Sequence, residues 1–175
     1  MADLAVPVSN SDHILGKPDA KIVLVEYGDY QCPYCGKAYP VVKQIAQQFA
    51  DQVCVVFRNY PLAQSHPQAL PAAVTAEFAA QHGKFWEAHD ALYENQHALG
   101  PEFYVQLLDA LKLPVADFKT AIENDAFEAK IRQDIDSGNR SGVNGTPAFY
   151  INGQSYQLRG GFDDLARHVE SLLQR

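Results

Sequence analysis

The sequence predicts an α/β fold in which a strand framework is interrupted by an all-helical lobe. Three features predict it. Two short β-branched runs flank an amphipathic segment early in the chain, the stretch 62–139 is almost wholly helical in period, and strand pattern returns around an Asn-Gly turn at 152–153. With 175 residues, 47% hydrophobic and 20% charged, the chain suits one globular domain with a substantial core.

After a lead-in rich in Pro, Asp and Ser, KIVLVEY (21–27) is a nearly continuous apolar run bounded by Gly28 and Asp29, which predicts a buried strand. From Pro33 the period changes. Ala38, Val41, Val42, Ile45, Ala46 and Phe49 recur at three and four, so a helix starts at CPYC, and Pro40 within it should bend it. VCVVFRNY (53–60) predicts a second strand parallel to the first.

Helices then follow one another. Leu70, Ala73, Val74, Glu77 and Phe78 mark the first, 85–93 the second, and Phe103, Leu107, Leu108 and Leu111 the third behind Pro101. Pro114 opens a fourth, and Phe127, Ile131 and Ile135 lie on a fifth that stops near Gly138. PAFYI (147–151), Asn152-Gly153 and QSYQLRG predict a hairpin, because Asn-Gly supplies the two positive φ angles of a type I′ turn. FDDLARHVESLLQR predicts an amphipathic closing helix, with Asp163 and Asp164 placed to meet its dipole.

The net charge of -7 argues against nucleic acid or an anionic membrane surface as the main partner. No apolar run reaches the ~20 residues of a membrane span, so no membrane insertion is expected. The first residues lack the basic-then-apolar pattern of a signal peptide. A cytoplasmic location is therefore expected if the chain is the whole gene product, and a periplasmic or extracytoplasmic one if a signal has been removed.

GDYQCPYCGK (28–37) carries two of three cysteines. A thiol is a nucleophile only as thiolate, and at a strand-to-helix boundary Cys32 faces unsatisfied N–H groups and the positive end of the helix dipole. Cys35 comes round to nearly the same side of the first turn, placed to attack a mixed disulfide formed at Cys32. Pro33 suits the first turn, and Pro33 and Tyr34 together tune the thiolate.

Tetrahedral zinc is the chief rival. It wants four N/S ligands, whereas Cys54 stands alone in a strand and the six histidines (His13, His66, His82, His89, His97 and His168) form no second tight pair. No metal is expected within one chain, although a metal shared between two chains stays open. An inert staple is disfavoured because so short a loop removes little unfolded-state entropy.

GDYQCPYCG, Pro40 in the following helix, the helical insertion, NGTPAFYI and the terminal helix together resemble the thioredoxin superfamily, and more closely its DsbA-like branch. The resemblance covers nearly the whole chain. It implies a thioredoxin-like central sheet, with the thioredoxin-like part over 1–61 and 140–175 and the helical insertion over 62–139. It implies a cis Pro147, with Thr146 contacting substrate and helping to tune Cys32, and Glu26 as the proton acceptor for Cys35. It also implies a thiol-disulfide oxidoreductase that needs no cofactor beyond the Cys32–Cys35 disulfide. Its partners would be thiol- or disulfide-containing proteins or small thiols such as glutathione, together with a redox partner that the sequence does not identify.

The chain departs from the most oxidising members by carrying Pro-Tyr, as glutaredoxins do, in place of Pro-His. Glutathione-dependent activity is therefore one alternative, and a non-catalytic binding module of the same fold is another. A kappa-type glutathione transferase branch uses a serine near this position, and Cys32 and Cys35 argue against it. Asp29 and Tyr30 are weighed evenly between shaping the site surface and ordinary strand-end roles. Cys54 is expected to be a small buried hydrophobe, and His66 a capping or surface residue. Phe85, Trp86 and Tyr93 are expected to form a core stripe.

Overall fold

The computed structural model describes residues 3–175. Strands β1 (His13–Leu15), β2 (Ile22–Gly28), β3 (Val53–Asn59), β4 (Ala148–Ile151) and β5 (Gln154–Tyr156) form one sheet in the order β1-β3-β2-β4-β5. The β2–β3 pair is parallel and joined by helix α1 (Pro33–Gln48), while every other pairing is antiparallel. Helices α2 (Ala69–Gln81), α3 (Phe85–Glu94), α4 (Pro101–Ala110), α5 (Val115–Glu123) and α6 (Glu128–Arg140) are inserted between β3 and β4. Helix α7 (Asp163–Leu173) closes the chain. This is a thioredoxin-like mixed sheet with an inserted helical region.

Strand alternation decides which side each residue serves. Ile22 and Leu24 of β2 and Val53 and Val55 of β3 meet Ala38, Val42 and Ile45 of α1 and Leu165 and Val169 of α7 in one core. Val25, Tyr27, Val56 and Tyr150 form another on the opposite face. A third fills the lobe with Ala72, Ala76, Phe78, Leu92, Leu108 and Ile131, and it is continuous with Tyr30, Cys32 and Cys35. Burial of Phe85 and Tyr93 in this core agrees with the expected stripe, while half-buried Trp86 donates from Nε1 to the Ile14 carbonyl at 3.2 Å.

Helix α1 runs unbroken through Pro40, which lies on its exposed side, where water can reach the Gly36 carbonyl that has lost its helical donor. The hairpin turn has φ of 50° at Asn152 and 84° at Gly153. Helix α6 ends near Gly138 as expected, its last residue being Arg140, and Gly142, at φ 89°, follows its end. Gly138 is glycine for another reason: a Cβ there would lie 2.9 Å from the Tyr60 ring and 3.1 Å from Tyr27. Strand β5 ends at Tyr156, so only the first part of QSYQLRG pairs. The lead-in also holds β1, which adds an antiparallel edge beside β3.

Candidate active site

Strand β2 ends at Gly28 and α1 begins at Pro33, so the intervening turn carries Cys32 at the N-cap position with extended backbone, φ -67° and ψ 124°. Cys32 and Cys35 are free thiols, and both are buried. The Cys32 Sγ lies 3.6 Å from the Thr146 carbonyl oxygen, to which it donates only in its protonated form. Thr146–Pro147 is a cis peptide bond, as the resemblance implied. Pro33 and Tyr34 face outward, Tyr34 being 62% exposed with Lys37 Nζ 5.5 Å from its ring centre.

Cys32 is pulled down from 9.0 to about 5, chiefly by the Cys35 thiol donating to its sulfur. Burial works against this, while the Thr146 hydroxyl and the first-turn amides of Cys35 and Tyr34 add to it. That hydroxyl is buried without a well-formed hydrogen bond, so it is free to turn towards the sulfur. Cys35 moves the opposite way, far above the usual thiol range, mainly because burial disfavours its thiolate. The two sulfurs are thus unequal at neutral pH: Cys32 is charged and Cys35 keeps its proton.

Glu26 sits on β2 opposite Phe57 of β3 and Phe149 of β4, on the α1 side of the sheet. It is 3% exposed, and its Oε2 has no hydrogen-bond partner. Burial, with the Cys32 charge as a second cause, raises it from 4.5 to about 8. A cavity of about 360 Å³ between α1 and α3 runs in to this carboxyl past Tyr39, Lys43, Trp86, His89 and Asp90. Burial also holds His89 at about 3, so that it is neutral at physiological pH. A larger apolar groove of about 800 Å³ lies within the lobe, lined by Leu70, Val74, Phe118 and Ile122 rather than by the cysteines.

All the sequence-predicted site residues therefore meet at one end of β2 and α1. Cys54 does not join them; it is buried on β3 opposite Val23. Among the described residues no cluster of three or more His, Cys, Asp or Glu is placed to hold a metal.

The structure adds two groups that clasp the CPYC turn. Asp29 is buried, and its Oδ1 accepts the amides of Gln31 at 2.7 Å and Cys32 at 3.2 Å. Its place three residues before the N-cap position Cys32 was the available signal, since short acidic side chains fold back on following amides. Gln96, in a 3-10 turn (Gln96–Ala98), donates from Nε2 to the carbonyls of Tyr30 and Cys32 at 2.8 and 3.0 Å. Nothing in its local sequence points to that role.

Comparison with known proteins agrees with this geometry. A family model described as Thioredoxin matches residues 9–171. The chain is 39% identical over 170 residues to Na(+)/H(+) antiporter NhaA 3 of Salinispora tropica, covering 97% of this chain and 26% of that protein. It is 35% identical over 163 residues to Na(+)/H(+) antiporter NhaA of Herminiimonas arsenicoxydans, covering 93% and 25%. It thus spans about a quarter of the length of these curated relatives. Among solved structures, oxidised BdbD from Bacillus subtilis superposes with a TM-score of 0.86 at 23% identity, covering 99% of each chain. The thiol-disulfide exchange protein alpha-DsbA2 of Wolbachia pipientis gives 0.79 at 20% identity, covering 93% of this chain and 88% of that one.

Proposed function

The chain belongs to the thioredoxin family and has the DsbA-like form of its fold, and from that premise we propose that it is a thiol-disulfide oxidoreductase working through Cys32 and Cys35. The observation that carries the reading is the placing of Cys32 at the N-cap of α1, with its sulfur 3.6 Å from the carbonyl of cis-bonded Thr146 and the fully buried Cys35 thiol one turn on.

In the reducing direction the Cys32 thiolate attacks a substrate disulfide. One sulfur of that disulfide leaves as thiolate, and the other becomes bonded to Cys32. Cys35 then attacks Cys32, the mixed disulfide breaks, and two electrons have passed to the substrate as the Cys32–Cys35 bond forms. Cys35 must lose a proton for that step, and Glu26, at about 8, exchanges a proton near neutrality. The cavity behind Glu26 offers that proton a way to solvent on the side away from the Thr146–Pro147 loop, where the substrate docks. The oxidising direction is the same sequence reversed.

Substrates are cysteine-containing proteins or small thiols, with a separate redox partner resetting the pair. A cytoplasmic location suits a reducing role and an extracytoplasmic one an oxidising role; an equilibrium titration against glutathione buffer decides between them. Antiport is not proposed: among the described residues no helix is long and apolar enough to cross a membrane.

The reading is tested by insulin reduction and dithiol oxidation with wild type and Cys32→Ser. Activity lost in the variant supports it, and equal rates overturn it. Pro33 and the exposed Tyr34 favour glutathione as a second reading, for which Cys35→Ser should accumulate a mixed disulfide between glutathione and Cys32. A metal-bearing reduced protein with an unreactive Cys32 would instead support a non-catalytic module.

A further inference from the structure

Asp29 is a carboxylate with none of its side chain exposed, and every lone-pair direction it uses is answered from within the protein. Oδ1 takes the amides of Gln31 and Cys32 at 2.7 and 3.2 Å. Oδ2 takes the amide of Leu62 at 3.0 Å and Nδ1 of His66 at 2.7 Å. The backbone donors come from the turn before α1 and from the connection between β3 and α2. His66 is the one side-chain donor in the set. Because an ionised carboxylate only accepts, the His66 nitrogen that faces it carries a proton.

We propose that His66 is a positioning residue for Cys32: by donating to Asp29 it fixes the carboxylate that holds the Cys32 amide at the start of α1. Cys32 has no side-chain cap of its own; its amide is shared between the Asp29 carbonyl at 3.1 Å and Oδ1 at 3.2 Å, and Gln96 holds its carbonyl, so the carboxylate is the one of these ties that His66 controls, and it helps set the aim of the sulfur at the first-turn amides. A buried carboxylate deprived of a donor either turns towards another or admits water. The contact with Cys32 is the longest of the four, so it is the first to yield. A reciprocal bond reinforces the joint: Gln31 Oε1 accepts the Gln68 amide at 2.6 Å, tying the same connection to the residue before Cys32.

The first-turn amides of Tyr34 and Cys35 help keep Cys32 ionised, so a turn that drifts weakens that help. The titratable groups facing Cys32 and its turn are Cys35, Glu26, Asp29 and His66, and the first three stay unchanged in the variants below.

The proposal rests on the disulfide-exchange reading only for its biological consequence, because the test reads the thiol directly. The reduced full chain is alkylated with iodoacetamide from pH 3.5 to 8, modification at Cys32 is read by mass spectrometry, and each variant is also melted. An asparagine amide nitrogen can stand where His Nδ1 does, whereas a glutamine amide nitrogen stands nearer to Nε2. His66→Ala and His66→Gln should raise the midpoint of alkylation, slowing the rate at pH 5 by about 3- to 10-fold, a loss that corresponds to one imperfectly made hydrogen bond. His66→Asn should return the midpoint close to wild type. A folded His66→Ala with the wild-type midpoint overturns the proposal, as does equal behaviour of the Asn and Gln variants. If His66→Ala does not fold, the Asn–Gln comparison decides. Failure of insulin reduction with this pattern intact would sink the exchange reading alone.

Discussion

Gln96 occupies the space that a side chain at Gly36 would need: a Cβ there would stand 2.1 Å from Gln96 Oε1, while Nε2 of the same side chain holds the carbonyls of Tyr30 and Cys32. The residue after CPYC is therefore small because the helical lobe reaches into the site.

Gly36→Ala should consequently destabilise the protein. Within a helix that change normally adds about 1 kcal/mol, but here it displaces Gln96 and its two hydrogen bonds, for an expected net loss of ~1 kcal/mol. Combining it with Gln96→Ala should recover part of the helix-propensity gain. Denaturant unfolding of the two single variants and the double variant measures the coupling, and additive effects would contradict the packing account.

The rate of Cys32 alkylation should be half-maximal near pH 5 and flat by pH 7, because a depressed thiol is already ionised above that point. In Cys32→Ser, Cys35 should resist modification throughout that range, as burial keeps its proton on. Stopped-flow alkylation and peptide mapping test both parts.

Glu26→Gln should slow turnover in insulin reduction by about 10- to 100-fold at pH 7 while leaving the Cys32 alkylation midpoint within half a unit of wild type. Its effect on stability has a definite sign. A carboxyl raised from 4.5 to about 8 supports the fold fully below pH 4.5 and loses that support as pH rises through 8. The variant should therefore gain stability on wild type across that window, at ~1 kcal/mol per pH unit. Melting curves at pH 4, 6 and 8 check the trend, and a constant difference would refute it.

Gly138→Ala should cost about 1–3 kcal/mol, because its methyl group would press on the rings of Tyr60 and Tyr27. A glycine at ordinary helical φ in open space would instead gain about 1 kcal/mol on becoming alanine. Thermal melting distinguishes the two.

Much of the fold was legible because its long elements carry strong periods. β2 and β3 are continuous apolar runs, α7 has a clean face, and Asn152-Gly153 has few alternatives to a tight turn. β1 was not legible: its three residues are too few to show alternation, and it exists because β3 presents an edge to be paired. Gly138 marked the end of α6 to within two residues, but its reason was not legible, because a glycine chosen for close approach and one chosen for positive φ look alike in a sequence. In the site, Cys32 and Cys35 announced themselves through residue type and local placing, and Glu26 through the family resemblance. Asp29 was visible only as an even choice, and His66 and Gln96 were set aside or passed over. Their contacts join positions 37 and 64 residues apart, and no local pattern encodes that.

Strand β2 draws its two neighbours from distant parts of the chain. β3 follows directly after α1, whereas β4, whose Phe149 stands opposite Glu26, arrives only after the whole lobe, together with Thr146 and Pro147. At ~5–20 residues per second, a ribosome therefore releases Cys32 and Cys35 on the order of ten seconds before it releases the strand that walls in Glu26. During that interval Cys32 has its local partners, the Cys35 thiol and the first-turn amides of α1, but not the Thr146 hydroxyl that adds to them. The dithiol turn is thus made well before the loop that faces it, and the two halves of the site meet only when β4 pairs with β2.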